Sequence, residues 1–156
     1  MRLITDRDVA DAKSRLVGIQ LAMLTLRLRD NWRKIFGDAD TAAIALAIVA
    51  IGAERLIRAG LEAELESLTA PMPTDAYGRC NISSIAVATG LNRETTRRKV
   101  GGLVKAGIVT RDGSSIRLAP GFTQQDSAIE LVKAQLEDVR KAVNDFLRLG
   151  ALALAE

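Results

Sequence analysis

Apolar side chains recur every three or four residues through most of this chain, and the breaks fall at Gly, Pro, Asn and Asp. Val9, Ala12, Leu16, Ile19, Met23 and Leu26 form one such seam and predict a long helix over Asp6–Arg29, capped by Thr5 or Asp6. Leu21, Leu24 and Leu28 lie off the seam, so this helix buries more than one face. Gly37 and Asp38 interrupt the pattern, and Asp38 or Asp40 caps a second helix from about Asp40 to Leu68, kinked or broken near Gly60. Its first half is apolar nearly all round and should be buried; its second half, LEAELESL, is amphipathic and acidic.

The segment Thr69–Arg79 holds two prolines and a glycine and reads as a linker. A short helix follows over Ile82–Thr89, with Asn81 or Ser83 as cap and Gly90 as its end. Asn92 caps a longer helix that stops near Ala106–Gly107. Ile108–Arg111 and Ser115–Ala119 read as two strands around an Asp112–Gly113 turn. Thr123 to about Leu149 is the last helix, and Ile129, Val132, Leu136, Val139, Val143 and Phe146 give it a seam with the spacing of the first.

These elements predict a mainly α fold in which a helix–turn–helix unit with a small β-hairpin sits between long N- and C-terminal helices. The expected division is 1–68 for an N-terminal helical region (core and dimerisation), 69–80 for a linker, 81–122 for the helix–turn–helix and hairpin, and 123–156 for a C-terminal dimerisation helix. One chain satisfies both seams by packing the two helices together. A homodimer satisfies them by pairing across copies, and the length of the last helix, which outruns the small unit before it, favours the dimer.

Composition narrows the functions. The chain of 156 residues is 48% apolar but only 3% aromatic, so its core is aliphatic. It has no histidine, which removes the commonest general base near neutral pH and the commonest metal ligand. No clustered cysteines, paired carboxylates or glycine-rich phosphate loop replace it, so neither an enzyme nor a cofactor is expected. The lone Cys80 excludes an intramolecular disulfide and suits a reducing compartment; it reads as structural, although Arg79 beside it favours a thiolate. The longest uncharged apolar run, Thr41–Ala53, has 13 residues, short of the roughly 20 a bilayer requires. The charged N-terminus lacks the apolar stretch of a signal peptide. The expectation is a cytoplasmic protein with no membrane partner.

Charge is unevenly spread. Between Arg79 and Arg117 eight positive residues face two negative ones, a net of +6; the remaining fourteen positives and seventeen negatives give −3. Basic charge concentrated on one compact unit is the footprint of a phosphate-binding face.

Within that unit Ala86 lets two helices cross closely, Gly90 takes the turn and Leu91 plugs it into the core. Ile82, Ile85, Thr96, Val100 and Leu103 should face inward, with Ile108, Val109, Ile116 and Leu118 closing the core beneath the hairpin. Arg93, Thr95, Arg97, Arg98 and Lys99 are then left for the outside. An N-terminal half of a recognition helix with these residues suits the major groove, where Arg bonds guanine in bidentate fashion and Thr meets base edges or phosphates. Asn92 and Thr96 complete the candidate contacts on this helix, and Arg111, Ser114 and Arg117 supply those of the hairpin, toward backbone phosphates or the minor groove.

The stretch SSIAVATGLNRETTRRKVGGLVKAGIVTRDGSSIRL resembles the winged helix–turn–helix of bacterial transcription regulators, over about a quarter of the chain, and the layout around it resembles MarR-type regulators. That resemblance implies a homodimer that binds double-stranded DNA at a pseudo-palindromic operator to regulate transcription, with a small-molecule effector between its lobes. A winged helix also serves as a protein–protein module, and a basic face then meets an acidic partner. A small-molecule sensor or enzyme in the helical bundle is a third reading, which the absence of histidine and of a catalytic constellation disfavours.

Overall fold

The structure is a computed structural model and describes residues 1–73 and 75–155. Thr74, inside the expected linker, and Glu156, at the end of the expected C-terminal helix, lie outside the described residues. The chain is mainly helical, with six α-helices and two small antiparallel sheets among the described residues. It divides into two compact units, Met1–Asn31 with Leu131–Glu156, and Trp32–Glu130. No single helix among the described residues is long and apolar enough to cross a membrane.

The first unit joins the two ends of the chain. Strand β1 (Arg2–Thr5) pairs antiparallel with β4 (Leu152–Ala155), which the sequence reading missed because each strand is only four residues long and its partner is distant in sequence. The helix expected over Asp6–Arg29 is two helices, α1 (Arg7–Ala12) and α2 (Ser14–Phe36). Asp6 caps α1 by accepting from Val9 N at 3.0 Å. At the break, Lys13 Nζ donates to Leu149 O at 2.7 Å, the end of α6 (Asp126–Leu149). Asn31 Nδ2 donates to Asp138 Oδ2 at 2.8 Å, a second tie between α2 and α6.

The packing turns the expected seam of α2 to water and covers that of α6 only in part: Phe146 is buried and Ile129 and Val143 are half-buried. In α2 the half-buried stripe is Val17, Gln20, Leu24, Leu28 and Asn31, and no residue of the helix is fully buried. The predicted seam points to water: Leu16, Ile19, Met23 and Leu26 are all exposed. In α6 the inner stripe runs through Leu131, Asp138, Ala142, Phe146 and Leu149, while Val132, Leu136 and Val139 are exposed. Two stripes offset by one residue have the same heptad spacing, so periodicity alone does not say which one the chain covers itself.

The second unit is built around α3 (Ala39–Ala59). Asp38 caps it, accepting from Thr41 N at 3.0 Å. The helix stops at Gly60, so the expected continuation to Leu68 is a correction: only Ala63–Leu65 forms a 3-10 turn. With Gly60 at φ +74° the backbone leaves the helix in a conformation that disfavours any side chain, and the acidic LEAELESL stretch never regains an α-helical path. Against α3 pack α4 (Ile82–Thr89), α5 (Arg93–Lys105) and the hairpin β2 (Val109–Asp112) and β3 (Ser115–Leu118). The core is aliphatic. Ile44, Ile48, Ile85, Val100, Leu103, Val109 and Ile116 are all essentially inaccessible to solvent. Truncating Ile44 or Ile48 to Ala should cost about 2–5 kcal/mol, the usual loss for a buried aliphatic side chain. Trp32 stacks on Phe36 at 5.6 Å and Phe36 meets Phe122 at 6.3 Å, so the aromatic residues anchor one edge of this core.

The stretch expected as a linker is tied down. Gly78 N donates to Gly52 O at 2.9 Å, Tyr77 packs on the core, and Gln124 Nε2 donates to Ala70 O at 3.1 Å. Cys80 then pairs with Ile116 as a one-residue third strand beside the hairpin. The last helix begins at Asp126 rather than Thr123, after a 3-10 turn at Phe122–Gln124.

Candidate nucleic-acid interface

Two short polar caps set the geometry of the basic unit. Asn81 accepts from Ser84 N at 2.9 Å while Ser84 Oγ accepts from Asn81 N at 3.0 Å, a reciprocal box that fixes the start of α4. Gly90, at φ +72°, reverses the chain at the end of α4. Asn92 then accepts from Thr95 N at 2.8 Å and starts α5. Buried Ile85 and Ala86 of α4 and Val100 and Leu103 of α5 hold the two helices together, as their spacing predicts.

At 100° per residue, burying Thr96, Val100 and Leu103 turns Arg98 and Lys105 to the opposite side of α5 and places Arg93 and Arg97 on its flank. The hairpin completes that flank. Arg111 is paired with Ile116, so both point to the helix side of the ribbon; Thr110 is paired with Arg117, and both point away. Arg93 and Arg97 of α5, Arg111 and Ser114 of the hairpin, and Asn81 and Ser83 at the start of α4 thus line one cleft of about 340 Å³. The tight turn is at Gly113–Ser114, one residue later than the expected Asp112–Gly113, since Asp112 still pairs with Ser115. Gly113 takes φ +58° there.

The cleft is strongly cationic. Arg97 meets Glu94 at 2.7 Å, but both side chains are largely exposed and such a pair is worth at most about 1 kcal/mol. Arg111 Nε donates to Gly113 O at 2.9 Å, which fixes its stem and leaves its terminal donors for a ligand. Arg93 and Arg98 make no ion pair or side-chain hydrogen bond among the described residues. Three guanidinium groups, two hydroxyls and a helix N-terminus converging on one concavity suit an anion with several acceptor oxygens.

Other expected contacts sit elsewhere. Thr96 is a correction: it is fully buried, and its Oγ1 donates to Asn92 O at 2.9 Å, so it supports the start of α5 from inside. Lys99 pairs with Asp38 at 2.8 Å and is mostly covered, so its charge serves the packing of α5 on α3. Thr95 is half-buried, Asn92 is exposed but occupied as a cap, and Arg117 lies on the far face of the hairpin from Arg111. The period-two alternation of the strands separates Arg111 from Arg117.

Comparison with family models, with curated proteins and with solved structures finds no match to this chain.

Two further features bear on chemistry. The Cys80 thiol is buried, and loss of solvation pushes its pKa up to about 11, overriding any help from Arg79 toward a thiolate. In the first unit Val17, Leu21, Phe146 and Leu152 line an apolar cleft of about 220 Å³, below the roughly 300–1,000 Å³ typical of a small-molecule site.

Proposed function

We propose that this chain is a sequence-specific double-stranded DNA-binding regulator of transcription. It acts as a homodimer through a winged helix–turn–helix at 81–122, with α5 in the major groove and the β2–β3 wing on the backbone. The observation that carries the reading is the convergence of Arg93, Arg97 and Arg111 on one cleft beside the solvent face of α5, where Arg98 and Lys105 stand. In this arrangement Arg98 and Lys105 meet the groove while the flanking cleft takes a backbone phosphate, the division of labour between base readout and positioning.

The apolar surface of the first unit supports the dimer. Leu136 is 69% exposed and Leu26 61%, in stripes with coiled-coil spacing on both long helices. Exposed aliphatic stripes of this regularity mark a helix–helix interface. The first unit has both stripes, so a second copy supplies the complement of each.

Selection from a random pool of duplex DNA with the purified protein tests the reading. The expected result is an enriched pair of inverted half-sites with centres about one helical turn, roughly 10 bp, apart. Binding without enrichment, or no binding, overturns it; the latter returns weight to an acidic protein partner.

A further inference from the structure

A second cationic cleft, of about 500 Å³, lies at the C-terminal end of α3 and is lined by Ile51, Glu54, Arg55, Arg58, Ala59 and Arg79. Three guanidinium groups share it with one carboxylate, and that carboxylate is engaged by Arg58. Arg55 and Arg79 have no ion pair or side-chain hydrogen bond among the described residues. The negative end of a helix accounts for Arg58 in the last turn of α3, but not for Arg79, which arrives from another segment.

Arg79 is held in place from both sides. On one side Gly78 N donates to Gly52 O at 2.9 Å; on the other Cys80 exchanges two backbone hydrogen bonds with Ile116 at 2.8 and 2.9 Å. The segment approaches α3 closely where glycine faces glycine. A Cβ at Gly78 would sit 3.3 Å from Gly52 O, and one at Gly52 would sit 3.4 Å from Gly78 O. A helix-interior glycine such as Gly52 is unfavourable by about 1 kcal/mol against Ala, and here it sits where the segment carrying Arg79 meets α3. The same extended segment joins the two clefts: Arg79 lines this one, and Asn81, two residues on, lines the cleft of Arg93, Arg97 and Arg111.

We propose that the Arg55–Arg58–Arg79 cleft is a second phosphate-binding site, which takes a backbone phosphate of the bound duplex beyond the helix–turn–helix. This rests on the DNA-binding reading above. Its contacts are to phosphate alone, so it adds affinity on every sequence and discriminates none.

The test compares the wild-type protein with the double variant Arg55→Gln, Arg79→Gln on a duplex carrying the selected sequence and on a scrambled one. Glutamine keeps most of each stem, and circular dichroism with thermal melting checks that the fold is retained. Losing one phosphate contact per protomer, two per dimer, should weaken binding on the order of tenfold at 0.1 M salt, equally on both duplexes, and reduce the slope of log Kobs against log salt by about 1.8. Wild-type binding with an unchanged variant overturns this inference and leaves the DNA-binding reading standing. A wild-type protein that binds neither duplex removes both. A third arm titrates inorganic pyrophosphate in the absence of DNA. A rise in wild-type Tm that the variant lacks, together with unchanged DNA binding by the variant, overturns the backbone assignment in favour of a free phosphorylated ligand.

Discussion

Lys99 Nζ stands 2.8 Å from Asp38 Oδ1, so a residue of the basic helix is committed to the N-terminus of α3. The same carboxylate accepts from Thr41 N at 3.0 Å and from Thr41 Oγ1 at 2.7 Å. Asp38 is therefore at once a helix cap and an ion-pair partner. The Lys99 ammonium, then the Thr41 donors, hold its carboxyl well below the usual carboxylate range. The two side chains are 24% and 50% exposed, so solvent screens the pair and its net value is at most about 1 kcal/mol.

Asp38→Asn keeps a good capping oxygen and removes the charge; Asp38→Ala removes both. The expected losses at pH 7 are under about 1 kcal/mol for Asn and about 1–2 kcal/mol for Ala, measured by urea unfolding. A carboxyl with a depressed folded pKa stabilises above its unfolded pKa, about 3.9, and loses that contribution as pH falls through the folded value. The gap between wild type and Asp38→Asn should hold steady from pH 7 to about 4.5 and shrink below about 4. A gap that widens on acidification contradicts the assignment.

Thr96 and Arg93 lie one helical turn apart and should behave oppositely. Thr96→Val removes a buried hydroxyl whose acceptor, Asn92 O, still receives Thr96 N at 3.0 Å. The expected cost in stability is at most about 1.5 kcal/mol, with DNA affinity of the folded protein unchanged. Arg93→Ala with Arg111→Ala should leave the melting temperature almost unaltered and weaken DNA binding at least tenfold. Fluorescence anisotropy on the selected duplex reads both, and an affinity loss for Thr96→Val would show that α5 docks differently.

What the sequence made legible follows interaction range. Asn81, Gly90, Asn92 and Gly107 act on backbone within a few residues, so α4 and α5 were readable nearly to the residue. The inward set Ile85, Thr96, Val100 and Leu103 followed from helical spacing alone. Pairings between distant segments were not readable: β1 with β4, Gly78 on Gly52, Lys99 with Asp38. Each involves small or charged residues whose local sequence carries no signal of a remote partner. The cationic cleft was half visible, since charge density marked the region while strand register decided that Arg111 joins it and Arg117 does not.

The exposed stripes make the oligomeric state a sharp test. Leu136→Glu and Met23→Glu place charge on surfaces that are already 69% and 41% exposed, so a monomer should fold as before. In a dimer the same changes bury an unpaired carboxylate and should dissociate it, seen as a halved mass in sedimentation. Leu24→Glu, on the half-buried inner stripe, should instead lower the melting temperature. A wild-type protein that sediments as a monomer at tens of micromolar would sink the dimer.

Gly101 and Gly102 separate the stability of α5 from its use. Both stand in the helix interior, and a methyl added at either meets no atom within 4 Å. Neither takes a positive φ, so alanine fits both backbones. Gly101→Ala and Gly102→Ala should each raise stability by up to about 1 kcal/mol, because alanine is the better helix former. Nothing in the chain's own packing requires these glycines, yet they border Arg98 and Lys105 on the face assigned to the groove. In the proposed docking, bare backbone there would let the helix axis approach the duplex closely. The double variant should therefore melt higher and bind the selected duplex more weakly, and Gly102→Leu should bind more weakly still. A double variant that melts higher and binds as tightly as wild type would mean that α5 does not seat this face in the major groove.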